Sequence, residues 1–256
     1  MNSILKRFLF LIFFLLPVLF LSSAHALESP EQIIRELDAH YYYPQQQGLK
    51  KLSVQIDWEQ LDVSSGSGRY LRNPPVTFFW ERSVGSKGVF TLSDSSFEVS
   101  LERKREILRM LQNYQEIVIP QTLAEKLANY KGHIKTAKKR QPVLAFSALN
   151  PDVAIQKYDL LVDLKQKKVR RFRMKRNSAP LEVKSDIRYT RKAGKWLTAE
   201  SRSKFRVGEV DYFETTEFVY RRAGNFWMMS KMTQTVKTDE RIIQSFIFRF
   251  RNYQIN

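Results

Sequence analysis

The sequence predicts an α+β fold in which a few short helices and strands precede a long antiparallel meander. Apolar residues recur at helical spacing in only two regions, near residues 30–41 and 102–130. From about Ala154 onward, apolar and polar residues alternate, and short turns separate the alternating runs. Because no linker or low-complexity tract interrupts this order, residues 27–256 are predicted to form one domain.

Residues 1–26 have the three parts of a cleavable secretory signal: a basic start at Lys6 and Arg7, an apolar run and a small-residue end at Ala24-His25-Ala26. The apolar run has 14 residues, whereas a membrane-spanning helix needs about 20. An uncleaved anchor is the alternative. The chain has no cysteine, so it offers no thiol for lipid attachment or a disulfide. We therefore expect cleavage after residue 26 and export.

The first half of the domain is predicted to mix helices and strands. A helix begins at the N-cap Ser29 and ends before Pro44, because the residue before proline disfavours helical geometry. Alternation from Leu52 to Trp58 predicts a half-buried strand, with further strands at residues 70–72, 76–80 and 89–99.

Two more helices are expected before the meander. One begins at Glu102, and the other begins at Pro120, where Thr122 and Glu125 have the spacing of a capping box. The basic residues after Lys131 are expected to form the exit of this second helix. The meander then follows as strands near residues 158–164, 169–175, 181–189, 196–207, 210–222, 226–237 and 241–253.

The chain is strongly basic, with 43 Lys and Arg against 26 Asp and Glu and a net charge of +17. Such an excess favours anionic partners, namely phospholipid head groups, lipopolysaccharide or an acidic protein surface. Export argues against nucleic acid. A solvated basic surface without a specific partner explains the charge equally well.

Three motifs occur in an order that resembles a known family. They are Pro75-Val76-Thr77-Phe78-Phe79-Trp80 at a strand start, Asn225-Phe226-Trp227-Met228 opening a long strand, and the terminal Asn252-Tyr253-Gln254-Ile255-Asn256. The chain resembles the periplasmic lipoprotein-carrier fold shared by LolA, LolB and RseB over nearly its whole mature length. One position departs from the pattern, because Pro74 stands where LolA has an arginine that helps to hold the carrier closed.

The resemblance implies a strongly curved, incomplete β-barrel of about 10–11 strands, closed by about three helices around an apolar hollow. It also implies a non-enzymatic periplasmic carrier that shields the acyl chains of a lipid or acylated protein for outer-membrane sorting. The missing cysteine argues against LolB-like anchoring. The alternative is a periplasmic sensor or scaffold that binds a membrane-protein segment, which makes an inner-membrane protein a further candidate partner.

Ten apolar residues on the predicted strand faces are candidates for lining the hollow. Aromatic side chains among them suit an acyl-chain pocket because each ring presents a large apolar surface. Ordinary core packing is the alternative for each residue. The candidates are Val54, Ile56, Trp58, Phe78, Trp80, Leu160, Val162, Phe246, Phe248 and Phe250.

A second candidate surface is a block of cations without intervening acidic residues. We expect it to face an anionic membrane, although a solvated helix end explains the same pattern. Its residues are Lys131, Lys135, Lys138, Lys139 and Arg140.

No catalytic residue, metal site or cofactor is predicted. The sequence has no nucleophile elbow, no Gly-rich phosphate loop and no histidine pair at metal-ligand spacing. The acidic pairs lie on basic strands, where cross-strand ion pairing explains them. A hydrolase is therefore kept as a third alternative.

Overall fold

The computed structural model describes residues 29–84, 87–93, 99–136 and 141–255, so the predicted signal lies outside the described residues. Four α-helices are described: α1 (Pro30–His40), α2 (Leu101–Gln112), α3 (Gln115–Val118) and α4 (Leu123–Leu127). The strands are β1 (Lys51–Leu61), β2 (Tyr70–Arg72), β3 (Val76–Glu81), β4 (Val89–Leu92), β5 (Tyr130–Thr136), β6 (Val143–Ala148), β7 (Ile155–Asp163), β8 (Lys168–Arg176), β9 (Glu182–Lys192), β10 (Lys195–Val207), β11 (Val210–Ala223), β12 (Phe226–Lys237) and β13 (Ile242–Ile255).

All described strands belong to one antiparallel sheet of 13 strands. Strands β5 to β13 follow each other as neighbours, β13 pairs with β1, and β3 and β4 complete the far edge. Strand β2 pairs with β1 off this path. Because β4 and β5 do not pair with each other, the sheet is open. The predicted α+β class with an incomplete barrel and a few helices is therefore confirmed, with somewhat more strands than expected.

Alternation of apolar and polar residues explains why the strands each bury one face. In β1, Leu52, Val54, Ile56 and Trp58 are buried, whereas the residues between them are partly exposed. The pairing of β1 with β13 sets Trp58 opposite Phe248 and Ile56 opposite Phe250. This register brings residues nearly 200 positions apart in the chain into one apolar layer, because paired residues of adjacent strands share a face.

The helix starts follow the predicted capping chemistry. At α1, the Ser29 hydroxyl accepts from the Gln32 N–H at 3.2 Å, and the Gln32 side chain accepts from the Ser29 N–H at 3.2 Å. At α4, Thr122 and Glu125 form the same reciprocal arrangement. These bonds satisfy N–H groups that the first turn of a helix leaves without partners.

The helices divide the interior into two apolar cores. In the first core, α2 and α3 cover β1, β3, β12 and β13, with Ile107 and Leu111 pointing inward. In the second core, α1 and α4 cover β6 to β8, with Ile34 and Leu37 buried. In the described part of the chain, no helix is long and apolar enough to cross a membrane.

The predicted helix exit after Lys131 is wrong for the residues that the structure describes. Residues 130–136 form the edge strand β5, in which Tyr130, Gly132 and Ile134 pair with Ala148, Phe146 and Leu144 of β6. These residues alternate with period two and form a strand instead of extending the helix that precedes them, because β6 provides backbone hydrogen-bonding partners. Lys138, Lys139 and Arg140 lie outside the described residues.

Candidate ligand cavity

A large apolar cavity lies between the two cores. Its volume is about 470 Å³. The walls come from the segment after α1, from α3 and α4, and from the concave face of strands β7 to β12. The apolar lining residues are Tyr41, Tyr42, Tyr43, Pro44, Ile117, Val118, Pro120, Leu123, Leu127, Tyr158, Leu160, Val169, Phe172, Met174, Ile187, Tyr189, Trp196, Leu197, Phe218, Tyr220, Trp227, Met228 and Met229.

The hydroxyl groups of the tyrosines after α1 form hydrogen bonds within the protein. Tyr41 donates to the Tyr189 hydroxyl at 3.1 Å and accepts from the Val169 N–H at 2.8 Å. Tyr42 accepts from the Trp227 N–H at 2.8 Å. With their polar ends satisfied in this way, these residues contribute mainly ring carbon to the wall.

Burial keeps these phenols neutral. Desolvation raises the pKa of Tyr41 to about 12, although its hydrogen bonds with Tyr189 and Val169 oppose the rise. Desolvation likewise raises the pKa of Tyr220, whose hydroxyl donates to the Thr198 carbonyl at 2.9 Å. A tyrosine is already neutral at physiological pH, and burial extends this protonated state to more alkaline pH, so these phenols bring no charge to the wall.

Asp38 fixes the position of α4 against α1. This buried carboxylate accepts from the Tyr43 hydroxyl at 2.6 Å and from the N–H groups of Leu123 and Ala124 at 2.8 and 2.9 Å. The two N–H groups belong to the first turn of α4, where a negative charge is favourable. Because Leu123 and Leu127 line the cavity, Asp38 positions part of its wall without lining it.

The polar residues at the cavity include one ion pair between helices. Lys126 of α4 donates to Glu116 of α3 at 2.5 Å, and both side chains are about half exposed. Exposed ion pairs contribute little to stability. This pair nevertheless joins two short helices that both form the wall, so it can hold their spacing.

The structure places the ten predicted cavity residues in different surroundings. Leu160 lines the cavity, and Val162 is buried in the second core. Ile56, Phe248 and Phe250 border a void of about 10 Å³ between α2, α3 and the sheet. The others belong to the first core, namely Val54, Trp58, Phe78, Trp80 and Phe246. Contact of the residues in the first core with a ligand stays a prediction, and it requires the helices there to move.

Several wall residues were not singled out from the sequence, above all the run Tyr41-Tyr42-Tyr43. Tyr41 continues the helical spacing of Ile34 and Leu37, whereas Tyr42 and Tyr43 directly follow it and fit neither the helical nor the strand period. Three consecutive large residues that are all buried indicate apolar surroundings on more than one side of the chain. That mismatch is the signal that could have found them.

The described basic candidates lie on the outer edge of the sheet. Lys131 and Lys135 are exposed on β5, and Lys135 forms an ion pair with Asp159 at 2.9 Å. Lysines on an edge strand also discourage pairing with another chain. Facing an anionic membrane stays a prediction for these two residues.

No family model and no curated protein matches the chain. Solved structures do, including a LolA superfamily protein from Nitrosomonas europaea at 8% identity, covering 90% of this chain and 94% of that one with a TM-score of 0.40. Another is a putative outer membrane lipoprotein-sorting protein domain from Vibrio parahaemolyticus, at 10% identity, 88% and 92% coverage and a TM-score of 0.35. A third is the MucA/MucB complex of Pseudomonas aeruginosa, at 9% identity, 88% and 93% coverage and a TM-score of 0.21. The solved structures similar to this chain include proteins named for the family that the sequence motifs resemble.

Proposed function

We propose that this protein is an exported, non-enzymatic binding protein that shields the acyl chains of a lipid or lipoprotein in the periplasm. The observation that carries the proposal is the apolar cavity of about 470 Å³ between the helices and the concave sheet face. Its volume falls within the range of about 300–1,000 Å³ that is typical of small-molecule sites.

The composition of the wall favours an acyl chain over a polar ligand. The hydroxyls of Tyr41 and Tyr42 already form hydrogen bonds within the protein. They therefore add little binding energy for a polar group of a ligand. Met174, Met228 and Met229 lie on the wall, and the flexible thioether chain of methionine adapts to ligands of varied shape. An apolar ligand would remove this surface from water, which is the main driving force for such binding.

Mass spectrometry of lipids extracted from the mature protein, purified without detergent, tests the proposal. We expect acyl lipid in an amount comparable to that of the protein. A fluorescent fatty acid should also bind the delipidated protein and be displaced by lipid. If no lipid is recovered and the fluorescent probe does not bind, the carrier proposal is wrong, and the sensor or scaffold alternative gains weight.

A matched pair of variants ties the binding to the cavity. Ile187 lines the cavity, and Ile187→Trp should fill part of it and weaken probe binding by about tenfold or more. Val219→Trp makes a comparable enlargement at an exposed position of β11 and should bind like the wild type. Equal binding by all three proteins would place the ligand elsewhere.

We also propose that the exposed lysines of β5, together with Lys138, Lys139 and Arg140, draw the carrier to anionic membranes. The support is the uninterrupted positive sign of this part of the sequence and the exposure of Lys131 and Lys135. Each cation near an anionic surface contributes about 1 kcal/mol, and this attraction falls off within a Debye length of about 8 Å at physiological salt.

A further inference from the structure

A second cavity lies on the convex face of strands β5 to β8. Its volume is about 200 Å³. The strand register sets His133, Ala145, Asp159 and Arg173 in one row across the four strands. A neighbouring row holds Ser147, Lys157 and Lys175, and Lys135 completes the basic lining.

This convex pocket is separated from the apolar cavity by the sheet itself. Tyr158 and Leu160 of β7 line the apolar cavity, whereas Lys157 and Asp159 of the same strand line the convex pocket. Successive side chains of a strand point to opposite faces, and β8 alternates in the same way. The two sites therefore lie on opposite faces of the sheet, and each would bind its own ligand.

The convex pocket has a surplus of positive charge. Four cations and a histidine line it against one acidic residue, Asp159, which is already paired with Lys135 at 2.9 Å. Lys157 and Lys175 are exposed and form no ion pair with any described residue. Ala145 is buried and lies between His133 and Asp159 in its row, so its small side chain leaves a depression there.

Arg173 gives the pocket an unsatisfied hydrogen-bond donor. One end of its guanidinium group binds Glu182 of β9. Its Nε atom is buried and has no hydrogen-bond partner among the described residues. A buried donor without an acceptor is unfavourable, and an anion or a water molecule that reaches it from the pocket would satisfy it.

We propose that this convex pocket binds a phosphate group. A tetrahedral phosphate offers several strong acceptor oxygens, which can bind Arg173, Lys157 and Lys175 together, whereas a carboxylate offers two. The Ser147 hydroxyl is a further donor at the pocket. The phosphate can belong to a lipid head group at the membrane surface or to a soluble phosphate compound.

Calorimetric titration with inorganic phosphate in 0.15 M sodium chloride tests this site. We expect saturable binding by the wild type. Lys157→Gln/Lys175→Gln should weaken it by at least about tenfold, because charge-assisted hydrogen bonds are lost. Arg173→Lys keeps the charge but removes Nε and the planar fork, and should weaken it by at least about threefold. Circular dichroism and thermal melting check that each variant is folded.

A matched control separates the pocket from net charge. Lys231→Gln/Lys237→Gln removes two exposed lysines of β12 that do not line the pocket, and it should bind phosphate like the wild type. The proposal is overturned if the wild type shows no saturable binding to phosphate or to vesicles. It is also overturned if both double variants lose affinity equally, or if neither loses any.

Vesicles distinguish the two sources of phosphate. The wild type and both double variants are sedimented with phosphatidylcholine vesicles that contain or lack phosphatidic acid. Binding that needs phosphatidic acid and fails in Lys157→Gln/Lys175→Gln identifies a lipid head group. Pocket-dependent binding of inorganic phosphate without pocket-dependent vesicle binding identifies a soluble phosphate compound. The lipid content of the apolar cavity is measured separately, so failure here leaves the carrier proposal intact.

Discussion

At the scale of single residues, Asp38 shows how one buried carboxylate positions the wall of the cavity. It binds the Tyr43 hydroxyl and two N–H groups of α4. Asp38→Ala should lower the free energy of unfolding by about 2–4 kcal/mol, because three donors lose a charged acceptor. Urea unfolding measures this loss. Asp239→Ala, at an exposed turn, is the control and should change stability by less than about 0.5 kcal/mol.

Tyr43→Phe refines the Asp38 prediction. This variant removes one of the three hydrogen bonds and leaves both N–H contacts, so the expected loss is about 1 kcal/mol. If Asp38→Ala unfolded at the same urea concentration as the wild type, the carboxylate would not be holding α4 against α1.

Glu214 provides a prediction about pH. Desolvation raises its pKa above the ordinary value of 4.5, and hydrogen bonds with Gln234 and Thr216 partly oppose the rise. The folded protein therefore holds this proton to higher pH than the unfolded chain does. The stabilisation is complete below the unfolded value of 4.5 and is lost as the pH rises through the folded value.

Glu214→Gln isolates this effect because the amide does not titrate. The free energy of unfolding of the variant, minus that of the wild type, should increase as the pH rises from about 4 to about 8. Urea unfolding at several pH values measures the difference. A difference that does not vary with pH would show that the carboxyl titrates alike in the folded and unfolded chain.

At the scale of elements, the contact between α1 and β5 depends on Gly132. A Cβ atom at this position would lie 2.7 Å from Cε1 of Phe146 and 2.9 Å from Oε1 of Glu31. The Phe146 ring is buried and has little room to move. Gly132→Val should therefore destabilise the protein by about 1–3 kcal/mol, even though valine favours strands.

Thr136→Val is the control for the Gly132 variant. It adds a β-branched apolar side chain at an exposed position of the same strand, so thermal stability should change little. If the Gly132→Val variant melted at the same temperature as the wild type, α1 would not pack closely on β5.

The basic edge of the sheet supplies an element-scale test of membrane attraction. Binding to phosphatidylglycerol vesicles should weaken steeply with salt, since exposed charges are screened beyond about 8 Å at physiological ionic strength. Replacing Lys135, Lys138, Lys139 and Arg140 by Gln should abolish most of the binding. Cosedimentation measures both effects. If binding did not depend on salt, these cations would form only a solvated surface without a role in membrane attraction.

At the scale of the whole molecule, ligand binding should stabilise the fold. The cavity lies between two cores, so a ligand that fills it contacts residues of both, including Val118 and Leu160. A bound ligand at about 100 times its dissociation constant adds about 2.7 kcal/mol to the free energy of unfolding. We expect the melting temperature of the delipidated protein to rise with fatty acid concentration.

The cavity variant is the control for this stabilisation as well. Ile187→Trp should show a smaller rise in melting temperature at every fatty acid concentration, because the tryptophan occupies part of the site. A rise of equal size in both proteins would mean that fatty acid stabilises the fold from another surface.

The sequence by itself determined the class of this protein and the face that most strands bury. Alternation is a local property, so Val54, Ile56 and Trp58 could be assigned to one buried face without knowledge of their partners. The capping residues Ser29 and Thr122 could also be predicted from the sequence, because a cap acts on N–H groups only two or three positions away.

Only the tertiary structure decided which buried residues surround a cavity and which fill a core. Phe248 and Leu160 both read as inward-facing strand residues, yet Phe248 packs on Trp58 and Tyr114 whereas Leu160 borders the cavity. That difference depends on where α2, α3 and α4 lie over the sheet. Their positions are set by contacts such as Asp38 with Leu123, which join residues 85 positions apart. No local pattern encodes such a contact, because its energy arises only after the chain has folded.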